Sequence, residues 1–364
     1  MVFILFRWRI KMNLLNLGID EHIEREFNKI AEEGCIIGRV ALEYKGRYRV
    51  WTNDDELLCE VSGKFLFQAT CKEDFPAVGD WVVIMPRKYE QKGTIQVVLP
   101  RKSKFSRKMA GTTTEEQLIA ANIDTVFLVN SLNDDLSLRR IERYLLLSWE
   151  SGATPIIVLS KADLCSDFDR LFKKVESIAL GIPIIPVSVI TKTGMEEIRT
   201  YLQPGKTIAL LGSSGVGKST LTNCLLGNEK QKVQEIRESD DKGRHTTTNR
   251  ELIMLPNGAM LIDTPGFREL QIWEGNNGLS ESFSDIETFA LNCRFRDCTH
   301  GGEPGCGVND ALDAGSLSLD RLDSYKKLQR ELAYLDRKLD KRAQAEEKKK
   351  WKIIHKQLKQ GEKY

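Results

Sequence analysis

The sequence predicts a multidomain α/β chain: an N-terminal five-stranded barrel of the oligonucleotide-binding type, a doubly wound sheet carrying a phosphate loop, and a C-terminal helical zinc-binding domain. Three observations predict it. Five short strand-like runs, separated by Gly, Asn/Asp or Pro signals, lie between Ile36 and Leu99. Between Gln117 and Gln271, apolar runs alternate with helix-period segments, and one run leads into G-x-x-x-x-G-K-[ST]. Three of the eight cysteines and one of the four histidines fall within Cys293 to Cys306.

At 364 residues the chain can hold two or three domains, each with its own core. We divide it into an N-terminal extension and helix (1–34), the barrel (35–107), the nucleotide domain (108–271) and the zinc-binding domain with a basic helical tail (272–364). The net charge is only +2, but it is unevenly placed: residues from 321 onward carry 15 Lys/Arg against 7 Asp/Glu, while residues 1–320 carry 39 against 45. Two readings of that tail stand, a polyanion-binding arm or a solvated charged helix, the latter because Tyr325, Leu328, Leu332 and Leu335 form a stripe at helical spacing.

The chain opens with the apolar run Val2 to Phe6, followed at once by Arg7, Arg9 and Lys11. The run is too short to span a bilayer, and its charges lie on the wrong side for a signal peptide. Residues 1–11 read as a non-native extension ahead of an ordinary start at Met12. An intact mass of the native protein beginning at Met1 would overturn that expectation.

The barrel strands are expected at Ile36 to Glu43, Arg47 to Thr52, Glu56 to Val61, Asp80 to Met85 and Thr94 to Leu99. Tyr44, Tyr48 and Trp51, interleaved with Lys45, Arg47 and Arg49, either stack on RNA bases or pack the barrel. Arg101 to Lys108 reads as a basic linker able to bind phosphates, at the boundary with the next domain.

The nucleotide domain is expected to hold strands at Ile123 to Asn130, Pro155 to Leu159, Ile182 to Val187, Thr207 to Leu211, Glu251 to Leu255 and Ala259 to Ile262, with helices such as Leu138 to Glu150 and Met195 to Leu202 between them. After Leu211 comes the phosphate loop Gly212, Ser213, Ser214, Gly215, Val216, Gly217, Lys218, Ser219 and Thr220. Its glycines let backbone N–H groups face phosphate oxygens. Lys218 supplies a charge for the β- and γ-phosphates, Ser219 a hydroxyl for Mg²⁺, and the following helix an anion-favouring N-terminus.

About 50 residues earlier, Ser160, Lys161, Ala162 and Asp163 follow another apolar run. An Asp there can accept two hydrogen bonds from the guanine edge, a donor pair that adenine lacks. Ser188 ends the next run, where a short loop lies under the base. Asp263, in Asp263-Thr264-Pro265-Gly266, can hold the Mg²⁺ shell while the Gly266 N–H senses a γ-phosphate. The guanine motif therefore precedes the phosphate loop, the reverse of the usual order.

Cys293, Cys298, His300 and Cys306 form a closed tetrahedral set suited to one structural Zn²⁺. The alternative, disulfides, needs an oxidising compartment.

From about Cys35 to about Leu335 the chain resembles the circularly permuted GTPases of the small ribosomal subunit biogenesis family, RsgA, also called YjeQ. The resemblance rests on the permuted motif order, on Gly243-Arg244-His245-Thr246-Thr247-Thr248, on Asp263-Thr264-Pro265-Gly266-Phe267 and on the Cys/His cluster. It implies a cytoplasmic GTP hydrolase that uses GTP and Mg²⁺, docks its barrel on ribosomal RNA and is stimulated by the small subunit. Nothing in the sequence resembles a dimer seam or a membrane segment, so a monomer is expected. Ser160 departs from the more common Asn, which implies weaker nucleotide affinity with guanine preference kept by Asp163. Phe267 stands where many GTPases place a water-orienting Gln, so intrinsic turnover should be slow. The resemblance favours His245 as catalytic, the bare residue reading equally as an exposed loop histidine; one of Thr246 to Thr248, with Thr247 chosen here, completes the Mg²⁺ shell. A guanine-nucleotide-gated RNA-binding scaffold with negligible hydrolysis is the alternative; an ATPase or working metal site is disfavoured by Asp163 and the closed ligand set.

Overall fold

Five strands close a barrel: β1 (Ile36–Tyr44), β2 (Arg47–Trp51), β3 (Glu56–Val61), β4 (Trp81–Pro86) and β5 (Lys92–Val98). Helix α1 (Glu21–Ile30) precedes it, and α2 (Gly63–Gln68) follows β3. Pairing runs β1–β2–β3–β5–β4 and back to β1, with only β3 and β5 parallel. The computed structural model describes residues 13–44, 46–87, 89–108, 116–133, 136–227, 250–263, 277–335 and 337. Alternation along the strands fills the barrel with Val40, Tyr48, Val50, Leu57, Cys59, Val82, Ile84 and Ile95. Tyr48 is thus a packing residue, and burial raises its phenol pKa. Trp51 is half-buried and donates from Nε1 to Glu56 Oε2 at 3.0 Å, whereas Tyr44 is exposed with the Arg49 guanidinium 6.0 Å from its ring centroid.

Within the basic linker, Arg101, Lys102 and Lys104 are ion-paired. Arg101 pairs with the fully buried Asp80 through Nε and Nη2, both at 2.8 Å, and also donates to the Glu73 and Phe75 carbonyls. Lys102 pairs with Asp20 and Lys104 with Glu73. These three cations answer acids from earlier in the chain. The backbone of Lys104–Lys108 then forms β6, which pairs antiparallel with β7 (Glu116–Ala121) in a separate two-stranded sheet.

The nucleotide domain follows as β8 (Thr125–Ser131), α3 (Leu138–Ser151), β9 (Thr154–Ser160), α4 (Phe168–Glu176), β10 (Ile184–Val187), α5 (Met195–Thr200), β11 (Thr207–Leu211), α6 (Lys218–Leu226), β12 (Glu251–Met254) and β13 (Met260–Asp263). The strand order is β10-β9-β8-β11-β13-β12, parallel except for β12. The chain winds outward from β8 to β10, then returns to start again at β11. The reversal between β8 and β11 is a topological switch point, where open α/β sheets place ligands beyond the strand C-termini. At the far edge, Leu42 of β1 faces Glu251 of β12, so barrel and nucleotide domain share one eleven-stranded sheet.

Arg39 of β1 binds the two parts together. It is 2% exposed. Its guanidinium donates to the carbonyls of Leu17 (2.6 Å), Gly79 (3.2 Å) and Asn122 (3.0 Å) and to Thr207 Oγ1 (2.8 Å), and its Cζ lies 5.4 Å from the Trp81 ring centroid. Burial lowers its pKa to about 10, with Asp124 and Asp80 opposing the shift, so it stays charged at neutral pH.

The chain divides into two compact units, 1–271 and 272–364. In the second, helices α7 (Asn277–Ser282), α8 (Ser284–Ala290), α9 (Gly307–Asp313) and α10 (residues 319–335) are described. Tyr325, Leu328 and Leu332 are buried, and Arg321 spans Asp285 with two hydrogen bonds while its Cζ lies 4.2 Å from the Phe283 ring centroid. The stripe in the tail is thus a packing face over this stretch. Among the described residues, no helix is long and apolar enough to cross a membrane.

Arg39→Ala should lower the unfolding free energy of the first unit by about 3 kcal/mol or more, because three buried carbonyls lose a charged donor. Arg39→Lys should recover only part of that loss, since an ammonium cannot span the same fork. Urea unfolding followed by tryptophan fluorescence checks both.

Candidate functional site: a nucleotide cleft and a metal centre

The phosphate loop begins where the fully buried β11 ends. A Cβ at Gly212 would sit 2.2 Å from the Val129 carbonyl oxygen, so only glycine lets the loop leave the strand this close to β8. Val216 is 2% exposed and anchors the loop in the core of the sheet. Gly217 caps α6 in a left-handed conformation, φ 97°. Lys218, the first residue of α6, turns back to donate from Nζ to the Gly212 and Ser213 carbonyls, each at 2.6 Å. Ser214, Gly215, Ser219 and Thr220 are exposed. A Cβ at Gly215 would meet nothing within 4 Å. A loop of glycines and hydroxyls around an ammonium, open on one side, fits a polyphosphate with its Mg²⁺.

The guanine motif joins this loop directly. Ser160, the last residue of β9, is 8% exposed, and its hydroxyl lies 2.5 Å from the Val216 carbonyl and 3.2 Å from the Asn130 carbonyl. Lys161 adopts a left-handed conformation, φ 57°, which directs Nζ to the Gly215 carbonyl at 2.8 Å. A serine therefore supplies the brace for the phosphate loop that an asparagine more often gives. Ala162 and Asp163 start a short 3-10 turn, Ala162–Leu164, with Asp163 exposed. Asp163 also lines an open depression with Phe168, Pro186, Thr191 and Thr193. Ser188 is buried; its N–H donates to the Thr193 carbonyl at 3.1 Å, and its hydroxyl accepts from the Thr191 N–H at 3.2 Å, which fixes the loop after β10.

Asp263 ends β13, whose Ile262 pairs with Ala209 of the neighbouring β11, so its backbone reaches the same sheet edge as the phosphate loop. His245, Thr246, Thr247, Thr248, Gly266 and Phe267 lie outside the described residues. Sequence reasoning missed two contributors. Asn130, next to last in β8, offers its carbonyl to the Ser160 hydroxyl, and Arg140 of α3 donates from Nη1 to Ser213 Oγ at 3.2 Å. Both stand far ahead of the loop in the chain, Arg140 by 73 residues from Ser213, with no motif to mark them.

In the second unit, one ligand atom from each of Cys293, Cys298, His300 and Cys306 lies within 4.8 Å of the others. Cys293 Sγ is 3.9 Å from Cys306 Sγ and 3.7 Å from His300 Nδ1, and Cys306 Sγ is 3.4 Å from the same nitrogen. Ligands of a tetrahedral Zn²⁺ should be separated by roughly 3.8 Å for S···S and roughly 3.6 Å for S···N, given the usual bond lengths. The set fits that ion, and all eight cysteines are free of disulfides. Burial, and then the field of the Lys326 ammonium, hold the His300 pKa below its ordinary value and keep the ring neutral, its ligating form. The Glu303 carboxylate accepts from the Thr299 and Gly301 N–H groups and from the Thr299 hydroxyl, which lowers its pKa to about 2 and braces the loop between the ligands.

Ser160→Ala removes the hydroxyl that ties β9 to Val216. GDP binding should weaken by about 1 kcal/mol, or roughly fivefold, as read by titration calorimetry.

Residues 98–273 match the family described as RsgA GTPase. A second match, to the family described as 50S ribosome-binding GTPase, covers residues 207–351 and begins at β11, the strand before the phosphate loop. The chain is 46% identical over 327 residues to small ribosomal subunit biogenesis GTPase RsgA 1 of Oceanobacillus iheyensis, covering 90% of this chain and 93% of that protein. It is 45% identical to RsgA 2 of Lactiplantibacillus plantarum, covering 89% and 90%. Among solved structures, YjeQ from Thermotoga maritima matches with a TM-score of 0.63 at 30% identity, covering 82% of this chain and 99% of that one. YloQ, a circularly permuted GTPase, matches with a TM-score of 0.60 at 26% identity, covering 83% and 96%. With nearly the whole length of such relatives matched at this identity, the chain belongs to the RsgA GTPase family.

Proposed function

We propose that this protein hydrolyses GTP to GDP and phosphate in a cycle tied to late maturation of the small ribosomal subunit, with the subunit stimulating turnover. The observation that carries the reading is the bonding of the guanine motif to the phosphate loop, Ser160 to Val216 and Lys161 to Gly215. A base-reading strand and a phosphate-holding loop fixed to each other make one cleft for one nucleotide. The relatives' names supply the small subunit as the partner.

When bound, GTP with Mg²⁺ supplies the scissile γ-phosphoryl bond and the charge that the metal helps neutralise. Lys218 and the loop N–H groups hold and neutralise the phosphates, Ser219 and Thr247 complete the metal shell with Asp263, and Asp163 reads the base over Ser188. The remaining loop positions, Gly212 to Thr220, shape the cradle. His245 orients the attacking water in place of the absent glutamine, and Gly266 reports the terminal phosphate. The Cys₃His set holds one structural Zn²⁺, with no open position for a reaction. The proposed division into an extension (1–34), an RNA-binding barrel (35–107), a permuted nucleotide domain (108–271) and a zinc domain (272–364) assigns ribosomal RNA to the barrel, where Tyr44 and Arg49 offer an exposed aromatic with a cation beside it. A monomer in the cytoplasm completes the reading.

Phosphate release, measured with and without purified small subunits, tests the proposal. Stimulation by the subunit should appear and should fall by about 10²-fold in Lys218→Ala. Guanine-nucleotide binding without stimulated release would favour a nucleotide-gated scaffold instead. His245→Ala should lose stimulated turnover while keeping nucleotide affinity; unchanged stimulated turnover would remove His245 from the mechanism. Purified protein should contain one zinc per chain, and Cys298→Ser should lower that content, as measured by inductively coupled plasma mass spectrometry.

A further inference from the structure

The phosphate loop is held at both ends by different groups. Its second half, Gly215 and Val216, is bonded to the guanine motif through Lys161 and Ser160. Its first half, Gly212 and Ser213, receives Lys218, the residue type that reaches β- and γ-phosphates. The first half is therefore the terminal-phosphate end. Arg140 meets the loop there, donating from Nη1 to Ser213 Oγ at 3.2 Å across the switch point between β8 and β11.

We infer that Arg140 is a positioning residue that sets the terminal-phosphate end of the loop through Ser213 and favours a nucleoside triphosphate over a diphosphate. The inference rests on the guanine-nucleotide reading of the cleft. The guanidinium is half-buried here and lies at the end of the loop opposite the base motif. Coulomb attraction falls with distance, and a second cation beside Lys218 acts most strongly on the negative charge nearest to it. A diphosphate lacks the charge that this end would hold. The arginine also fixes Ser213, whose backbone carbonyl accepts from Lys218, so it orders the ammonium as well as adding to its field.

Titration calorimetry with GDP and with guanosine 5′-(β,γ-imido)triphosphate, both with Mg²⁺, tests this. Arg140→Ala should weaken the triphosphate analogue by about tenfold and GDP by no more than about twofold, the size of effect expected for loss of one charge-assisted contact. Arg140→Lys should fall between Ala and the native protein. Ser213→Ala should weaken the analogue too, and the double variant should be no weaker than Arg140→Ala alone, because the two act as a unit. Equal weakening of both nucleotides, or of neither, overturns the inference. If Arg140→Ala does not fold, Arg140→Gln gives the same readout with the length of the side chain largely kept. Failure of the underlying reading looks different: the native protein would bind neither guanine nucleotide, or Lys218→Ala would leave both affinities unchanged.

Discussion

A single buried guanidinium carries the constraint on which the first unit depends. Arg39 stands on a barrel strand, yet its hydrogen bonds end on the N-terminal segment at Leu17, on the turn before β4 at Gly79, on Asn122 ahead of β8 and on Thr207 at the start of β11. A charge in that position is tolerable only while its donors are met, so the surrounding backbone has little freedom to shift. The strand that ends in the phosphate loop is thereby referenced to the barrel at its base.

From that base the cleft is built by short connections. β8, β9 and β11 run parallel, so their C-termini bring Asn130, Ser160 and Gly212 to one edge. The Ser160 hydroxyl and the Lys161 ammonium then hold the Val216 and Gly215 carbonyls of the loop. The serine hydroxyl is shorter than an asparagine amide and has one proton to give. At 2.5 Å from the Val216 carbonyl, that proton serves the loop.

Much of this was legible in the sequence because it is local. The short runs of β2, β3 and β11 occupy almost the residues expected, and Cys293, Cys298, His300 and Cys306 come together as their spacing implies. Contacts across long sequence separations were not legible. Arg39 reads as one charge within an apolar run; nothing nearby announces Thr207, 168 residues away. Arg101 to Lys108 read as a basic linker, and the acids that pair with Arg101, Lys102 and Lys104, namely Asp80, Asp20 and Glu73, belong to earlier elements with no local signal in the sequence. Tyr48 and Tyr44 carry the same side chain on one hairpin, and only the direction of the pleat decides that the first is buried and the second exposed.

The reversed motif order also imposes a sequence of events on folding. During synthesis β8, β9 and β10 emerge first, with the inner edge of β8 lacking its partner. That edge is closed by β11, whose Thr207 N–H bonds Asp124 across 83 residues of chain. The barrel can close from its own strands, but Arg39 cannot complete its bonds until Thr207 arrives. Non-local pairing of this kind slows folding and leaves a strand edge available to wrong partners in the interval. The permutation thus exchanges an early phosphate loop for a late one, and the nucleotide domain reaches its native core only after the guanine half has waited for the other.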